Sequence, residues 1–359
     1  MVNGSIPHGR RLWDTAMGPT YSTHENALNL LFSEVKATTE EQPEAFIGAP
    51  GSLALRTNET GTNFWVHRYS DASGARRERY IGKNGEPQVI AALAALRKRI
   101  DTANATIGRV RVLARSGFAT VDRKTYATVA ALHNHGLFRA GAFLIGSHAY
   151  GALLNDLGIK SVAYATEDID IARAERLALP HLVPFIDLLR ETGIEFREVP
   201  ALNRRDHATS FKEAGRFRLK VDLLVPSGAD DYPIVEVPEL KAYAKGLPYL
   251  RYLLGEAQEV PLLSPYGAVS VRVPVPERYA VHKLLVSQLR TRDSKSTNDL
   301  RQSAILIAAL ADRFPGSIKN ALGAVPESAA KYVRRATKAL EMYLPASADA
   351  AWESLRVKN

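Results

Sequence analysis

Two aspartates one residue apart lie in the stretch EDIDIA, at positions 168 and 170. Side chains along a β-strand alternate between faces, so Asp168 and Asp170 are predicted to project to the same side of one strand. Two carboxylates on one face repel each other, and a divalent cation such as Mg²⁺, which prefers oxygen ligands, relieves that repulsion. A bare pair of this kind is more often a solvated strand face, so the surrounding segments decide between the two interpretations.

A glycine–serine turn precedes the aspartate pair, in GAFLIGSHAYGALL. The pattern predicts a short strand, a tight turn and the start of a helix. Gly146 permits close backbone approach or an unusual dihedral angle, and Ser147 suits a helix N-cap. The free N–H groups and the positive dipole end of such a helix favour a bound phosphate. The alternative is an ordinary tight connection between strand and helix.

A third acid, Asp222, lies in the apolar stretch KVDLLV. Its neighbours Val221 and Leu223 are predicted to face the opposite side, and the apolar context indicates a central strand. Three acids from two neighbouring strands, with a phosphate-binding turn nearby, predict a two-metal phosphoryl-transfer site. The expected cofactors are two Mg²⁺ or Mn²⁺ ions.

These three segments, in this order, resemble the motif of the nucleotidyltransferase superfamily with the DNA polymerase β-like fold. The motif has a hydrophobic residue, Gly and Gly or Ser, then two acids separated by a hydrophobic residue, then a later strand acid. The likeness covers about residues 141–225. The segment VPVPERYAVHKLLVSQLRTRDSKSTNDLRQS is also similar to the tail of a bacterial group of uncharacterised nucleotidyltransferase-fold proteins, and it extends the likeness to about residue 310.

The resemblance implies a role for each matching residue. Gly146 and Ser147 would hold the triphosphate of an NTP, Asp168 and Asp170 would bind both metal ions, and Asp222 would complete one metal site and assist deprotonation of the acceptor hydroxyl. The implied reaction is in-line attack on the α-phosphorus, with pyrophosphate leaving. All three acidic positions of the motif are present.

Basic residues near the C-terminus are further candidates for nucleotide binding. In ERYAVHKLLVSQLR, Lys283 and Arg290 are seven residues apart and share one face of a predicted helix. Lys283 could reach a β- or γ-phosphate, and Arg290, Arg292 or Lys295 could support the nucleotide or the acceptor. Alternatively, Lys283 is an ordinary surface lysine. Asp299 could pair with one of these bases or favour the N-terminus of its helix.

Composition restricts the chemistry further. The chain has 359 residues and no cysteine, which excludes disulfides, thiolate nucleophiles and cysteine-bound zinc. No apolar run approaches the ~20 residues needed to span a bilayer, and the segment MVNGSIPHGRRLW lacks the apolar core of a signal peptide. We therefore expect a cytoplasmic protein without a membrane partner.

The net charge is positive, with 47 Lys and Arg against 38 Asp and Glu. This balance favours an anionic partner, and the expected substrates are an NTP and an RNA acceptor such as tRNA. A protein hydroxyl or a small molecule such as an aminoglycoside remains open as acceptor. A toxin-like or defence role is compatible with this chemistry, and the sequence leaves the oligomeric state and the NTP base open.

The stretch HRYSDASGARRERYIGK, together with Trp65, combines aromatic and basic residues. Such a combination suits nucleic acid because bases stack on aromatic rings while arginines neutralise phosphates. The more ordinary interpretation is an amphipathic hairpin with a charged outer face. His148 and Tyr150, which follow the turn, could likewise touch a base or ribose or simply pack in the helix.

The predicted fold class is α+β, a nucleotidyltransferase-type mixed sheet flanked by helices. Residues 1–139 are expected to form a helix, a β-meander and long helices that could recognise the acceptor. Residues 140–275 form the predicted catalytic domain, and residues 276–359 a helical domain. The elements we predict are helices at 22–36, 87–117, 122–136, 148–157 and 181–192, a meander at 52–82, strands at 141–145, 167–173, 194–200, 207–214, 216–226 and 269–275, and three helices after Pro276.

Two rival functions belong to other classes. A non-catalytic nucleotide or nucleic-acid binding module would tolerate loss of the acids, and their presence argues against it. A two-metal nuclease or phosphatase also uses clustered carboxylates. The glycine–serine turn before the aspartate pair favours a bound triphosphate over a scissile diester.

Overall fold

The structure is a computed structural model that describes residues 21–161, 166–201, 203, 205–215, 219–228, 231–290 and 294–356. Arg292 and the N-terminal segment MVNGSIPHGRRLW lie outside these residues. No helix among the described residues is long and apolar enough to cross a membrane.

The helices begin and end where their sequence patterns change. In chain order, the α-helices are α1 (Asn26–Glu40), α2 (Pro87–Arg115), α3 (Arg123–Asn134), α4 (Gly146–Asp156), α5 (Phe185–Arg190), α6 (Leu250–Leu253), α7 (Pro276–Leu289), α8 (Ser294–Arg313), α9 (Ser317–Gly323), α10 (Glu327–Ala339) and α11 (Asp349–Leu355). Prolines occupy the first position of α2 and α7, where a missing N–H costs nothing.

The strands have two to eight residues each. They are β1 (Ser22–Thr23), β2 (Ser52–Thr57), β3 (Asn63–Ser70), β4 (Arg76–Lys83), β5 (Ala142–Ile145), β6 (Ile159–Lys160), β7 (Asp168–Arg173), β8 (Phe196–Glu198), β9 (Ser210–Glu213), β10 (Lys220–Ser227), β11 (Ile234–Val237), β12 (Ala242–Pro248), β13 (Ala257–Ser264) and β14 (Gly267–Pro274).

The largest sheet is mixed and carries the acidic motifs. Its main path runs β11, β12, β10, β7, β5, and β8 joins through β9, which pairs with β10. Strand β10 is parallel to both β7 and β12, whereas β5 runs antiparallel to β7. The central strands are apolar at alternate positions, and Ile169, Ile171, Val221 and Leu223 are buried. One face of the sheet therefore forms core, and the opposite face of β7 and β10 carries the acids.

A second, three-stranded antiparallel sheet precedes the mixed sheet in the chain and consists of β2, β3 and β4. It belongs to the same compact unit as the mixed sheet, His24–Val275. In this unit the ribbon β13–β14 packs on α1 and α2 through a cluster that includes Phe32, Val110, Leu113 and Leu263. This core ties the N-terminal helices to the part of the chain that carries the acids.

The other compact unit comprises Met1–Thr23 and Pro276–Asn359, as far as the structure describes them. Its helix α7 packs against α8 and α10. The Ser303 hydroxyl of α8 donates a hydrogen bond to the Ala280 carbonyl of α7, which fixes the two helices at close range.

The α+β class, the β-meander and the helical C-terminal segment predicted from the sequence are confirmed. The first helix begins at Asn26 rather than residue 22, and the helix predicted at 181–192 is confined to Phe185–Arg190 because Pro184 stands at its N-cap. Strands β11, β12 and β13 were not predicted. The division at residues 139/140 and 275/276 stays a prediction.

Candidate active site

The turn between β5 and α4 depends on Gly146. This residue has a φ of 69°, in the left-handed region that favours glycine. A Cβ atom at this position would lie 2.1 Å from Oδ2 of Asp170. Glycine is therefore needed both for the backbone conformation and for the approach of the Asp170 carboxylate to the start of the helix.

The predicted capping role of Ser147 is wrong. Helix α4 begins at Gly146, so its N-cap is Ile145, which offers no side-chain cap, and Ser147 lies in the first turn. The reason is that the positive φ of Gly146 turns the chain directly from strand into helix. The N-cap residue of α4 thus supplies no side-chain cap, and the first turn of the helix begins beside the Asp170 carboxylate. The positive dipole end of a helix favours an anion.

The register of the sheet brings the three predicted acids together. Asp170 is the Cα partner of Asp222 on the parallel strand β10 and of Ile145 on β5. Asp168 is the partner of Lys220 in the same ladder. Because in-register neighbours project to the same face, the three carboxylates share the face next to the β5–α4 turn.

Lys220 lies among these carboxylates. Its ammonium is 2.7 Å from Oδ2 of Asp222 and 3.8 Å from Oδ1 of Asp168. Burial disfavours the charged form of Lys220, but the hydrogen bond to Asp222 and the charges of Asp222, Asp168 and Asp170 outweigh it and raise the pKa of the lysine. Lys220 is thus an internal cation that partly neutralises the acids.

The pairing of Asp222 is incomplete. Its Oδ1 atom is buried and has no hydrogen-bond partner. A buried carboxylate oxygen without a partner is costly, and a divalent cation supplies the missing interaction. Carboxylate oxygens are the type of ligand that Mg²⁺ and Mn²⁺ prefer. Among the described residues, however, no three His, Asp or Glu side chains converge as the ligands of a bound ion would, and Lys220 lies between two of the acids. Metal binding by the three aspartates stays a prediction.

A cavity of about 840 Å³ opens beside the acids. Ser147 and Asp168 line it, together with the segment before α3, one face of α4 and parts of the strands. The Asn155 side chain of α4 holds that segment in place, since it accepts from the Ala119 N–H and donates to the Ala119 carbonyl, both at 2.8 Å. The cavity is large enough for a nucleotide.

Charged residues from α3 and β9 also line this cavity. The Lys124 ammonium lies 2.5 Å from Oε1 of Glu213, and Oε2 of Glu213 is buried without a hydrogen-bond partner. His148 also lines the cavity, and burial lowers its pKa to about 4, although the charges of Asp122 and Asp168 act in the opposite direction. His148 is therefore neutral at physiological pH.

Lys283 and Arg290 lie in the other compact unit and bind a different acid. The Lys283 ammonium is 2.6 Å from Oδ1 of Asp299, and a guanidinium nitrogen of Arg290 is 2.8 Å from Oδ2. Asp299 thus pairs with both bases rather than one. Nucleotide binding by Lys283 and Arg290 stays a prediction.

The sequence interpretation missed Lys220, Lys124 and Glu213. Lys220 carried a usable signal, because it precedes Asp222 by two residues and must share its face in a strand. Lys124 and Glu213 meet across 89 positions of the chain, so no local pattern could pair them.

The mixed sheet, the glycine turn at the start of a helix and the acids on the adjoining strands are typical of enzymes that transfer phosphoryl or nucleotidyl groups. Residues 123–325 match the sequence model of a family described as Nucleotidyltransferase, NTP_transf_8. Because the match spans more than half of the chain, this protein belongs to that nucleotidyltransferase family. It is accordingly an enzyme of the nucleotidyltransferase class with a nucleotide substrate.

One solved structure with a detectable likeness is that of an antigenic nucleotidyltransferase-like protein from Paracoccidioides brasiliensis. It is 17% identical in sequence and has a TM-score of 0.32, over 63% of this chain and 94% of that chain. A TM-score this low supports no inference about the fold. The search of curated proteins found no match.

Proposed function

We propose that the protein transfers an NMP group from an NTP to a hydroxyl of RNA, such as tRNA. The observation that carries this proposal is the in-register placement of Asp170 and Asp222, with Asp168 two residues before Asp170, beside the Gly146 turn. Divalent cations would be held by the three aspartates, and when bound they would neutralise the phosphates and polarise the α-phosphate.

The residues of the chain would divide the work in the following way. The positive dipole end at the start of α4 would bind the triphosphate, with the Ser147 hydroxyl beside it. Gly146 would keep that surface free of side-chain atoms. Asp222, which has a carboxylate oxygen without a partner, could accept the proton of the attacking hydroxyl. In this reaction the acceptor hydroxyl loses its proton and its oxygen forms a new bond to the α-phosphorus. The bond from the α-phosphorus to the oxygen that bridges to the β-phosphorus breaks, and pyrophosphate leaves.

The charge of the chain supports RNA as the acceptor. The net charge is +9, and β4 carries Arg77 and Arg79 as exposed residues on one face of the strand. Clustered arginines attract a phosphate backbone by releasing its counterions. A protein or small-molecule hydroxyl lacks this repeating charge and gains less from such a surface.

The test is a transfer assay with each α-labelled NTP, total RNA and Mg²⁺ or Mn²⁺. We expect label to appear on RNA with the wild type and not with the Asp168→Ala/Asp170→Ala variant. Label on the protein itself would replace RNA by a protein acceptor. If no acceptor is labelled and calorimetry detects no NTP binding, the proposal is wrong.

A matched control is Glu195→Ala/Glu198→Ala. Both residues are exposed and lie beside or on β8, neither lines the cavity beside the acids, and Glu195 pairs with Arg197. This variant also removes two carboxylates, so equal loss of transfer in both variants would point to a general charge effect rather than to the site.

A further inference from the structure

A second cavity, of about 360 Å³, lies on the β2–β4 sheet. Its lining includes aromatic residues of β3, arginines of β4 and α2, and the acids Glu44, Asp71 and Glu191. The three aspartates of the mixed sheet are not part of this lining, and the volume of the cavity is within the range of small-ligand sites. The nucleotidyl-transfer chemistry makes no use of it.

The floor of this cavity is built from two cross-strand pairs. His67 on β3 is opposite Arg79 on β4, and Tyr69 is opposite Arg77. Residues two apart along a strand share a face, so the four side chains form one patch of two rings and two guanidinium groups. Strand pairing therefore fixes the spacing of the aromatic and basic groups.

The aromatic part of the patch is held rigidly. The Tyr69 and His67 rings stack with centroids 5.0 Å apart, and the His67 Nε2 atom is hydrogen-bonded to the Pro50 carbonyl at 2.7 Å. Phe46 packs on His67 at 6.0 Å. His67 is buried whereas Tyr69 is half-buried, so Tyr69 is the ring with an accessible surface.

The arginines differ in whether an acid already neutralises them. Arg77 is 2.8 Å from Asp71, and Arg99 is 3.1 Å from Glu44. Arg79 is exposed and has no acidic partner among the described residues. The Arg79 guanidinium is therefore available to bind a phosphate, and the accessible ring of Tyr69 on the same face can stack on a nucleotide base.

The cavity adjoins the catalytic cavity through the start of α3. Arg123 donates a hydrogen bond to the Asp71 carbonyl, and Asp71 lines the second cavity. The residues on either side of Arg123, Asp122 and Lys124, line the first cavity. An RNA strand bound in one cavity would thus be separated from the other cavity by only a few residues of the protein.

We propose that this second cavity binds one nucleotide of a single-stranded RNA acceptor, with the base on Tyr69 and a phosphate on Arg79. The proposal rests on the proposed function for the identity of the acceptor, but its binding step needs neither metal nor NTP. An acidic peptide could use Arg79 but would make no use of the ring platform.

The experiment measures the binding of a short, unstructured, fluorescein-labelled RNA by anisotropy at several salt concentrations. The full chain carries Asp168→Ala/Asp170→Ala, so that no transfer occurs. We expect Arg79→Ala to weaken binding about tenfold and to lower the salt slope by about one phosphate contact. Tyr69→Ala is expected to weaken binding about tenfold, and Tyr69→Phe to stay within about twofold of the parent.

The matched control is Arg76→Ala, an exposed arginine on the same strand whose cross-strand partner is Ser70 and whose side chain faces the other way. It should change binding less than about twofold. Circular dichroism and thermal unfolding check that each variant folds. Equal losses for Arg79→Ala and Arg76→Ala, competition by poly-glutamate as strong as by unlabelled RNA, or a Tyr69→Phe defect equal to that of Tyr69→Ala would overturn the proposal.

The two proposals fail in different ways. If the wild type labels RNA but Arg79→Ala binds RNA normally, the cavity is not the acceptor site and the proposed function stands. If RNA binds through Arg79 and Tyr69 but is never labelled, the cavity proposal stands and the proposed acceptor of the reaction is wrong.

Discussion

Two of the charge clusters among the described residues, one around Asp299 and one around Asp222, are paired to different extents. In the helical unit, one acid, Asp299, has two cations within 2.8 Å, from Lys283 and Arg290, although its Oδ2 atom makes an ion pair without a hydrogen bond. In the mixed sheet, one cation, Lys220, lies within 3.8 Å of both Asp168 and Asp222, and Oδ1 of Asp222 is buried without a hydrogen-bond partner.

We interpret the Asp299 cluster as structural and propose that the acids of the mixed sheet form a ligand site. A buried ion cluster that is complete within the protein holds helices together and gains nothing from a ligand. A cluster with excess negative charge and an unpaired oxygen is destabilising by itself and can be stabilised by an added cation. Two matched Asp→Asn substitutions should therefore have opposite consequences.

Asp222→Asn should have the largest effect on catalysis. It removes one carboxylate from the predicted metal site while keeping the side-chain shape, and we expect transfer to fall on the order of 10³-fold. The free energy of unfolding should change by less than about 1 kcal/mol because two effects oppose each other. The substitution weakens the ion pair with Lys220, but it also removes repulsion between Asp222 and the other two aspartates. Initial rates and urea unfolding measure the two quantities.

Asp299→Asn should have the largest effect on stability. It leaves the Lys283 ammonium without its counter-charge, and the Lys283 side chain is only 11% exposed. We therefore expect a loss of roughly 3 kcal/mol in the free energy of unfolding. Transfer per folded molecule should change less than about threefold. A raised KM for NTP with unchanged stability would contradict this prediction and favour the nucleotide-binding role predicted from the sequence for Lys283 and Arg290.

Gly146→Ala should reduce transfer by about 10- to 100-fold and destabilise the fold by roughly 1–2 kcal/mol. The added Cβ meets the Asp170 carboxylate and the backbone has a positive φ. Gly141→Ala is the control, because Gly141 also has a positive φ but its nearest neighbour lies 4.0 Å from an added Cβ. If both variants lose transfer equally, contact with Asp170 is not the reason.

The smallest expected effect is an alkaline loss of stability through Lys220. Its pKa is raised in the folded state, so its contribution is fully present below the unfolded value of about 10.5 and is lost as pH rises through the folded value. Because the side chain is partly exposed, the contribution should be less than about 1 kcal/mol. Urea unfolding between about pH 9 and pH 11.5 should show a steeper decline for the wild type than for Lys220→Met; parallel declines would contradict the assignment.

Local sequence patterns predicted the parts of the site that depend on one strand or one turn. The period of a strand places Asp168 and Asp170 on one face, and Gly146 marks the turn because few other residues tolerate its conformation. The same reasoning could have identified Lys220 next to Asp222.

Non-local features could not be predicted from these patterns. The register that sets Asp170 opposite Asp222 depends on the pairing of strands about 50 residues apart. The missed strands β12 and β13 contain Gly246, Pro248 and Pro261, which weaken strand patterns without preventing pairing in the folded sheet. The helix N-cap at Ile145 was missed because the turn at Gly146 outweighs the capping preference of Ser147.

The most direct test of the central claim follows the α-phosphate and the γ-phosphate of the NTP in two parallel reactions. With parallel α- and γ-labelled NTP, the wild type should place the α-label on RNA and release the γ-label as pyrophosphate in equal amounts, and Asp222→Asn should do neither. Transfer of the γ-label to an acceptor, or equal product formation by Asp222→Asn and the wild type, would show that the incompletely paired acids of the sheet are not a nucleotidyl-transfer site.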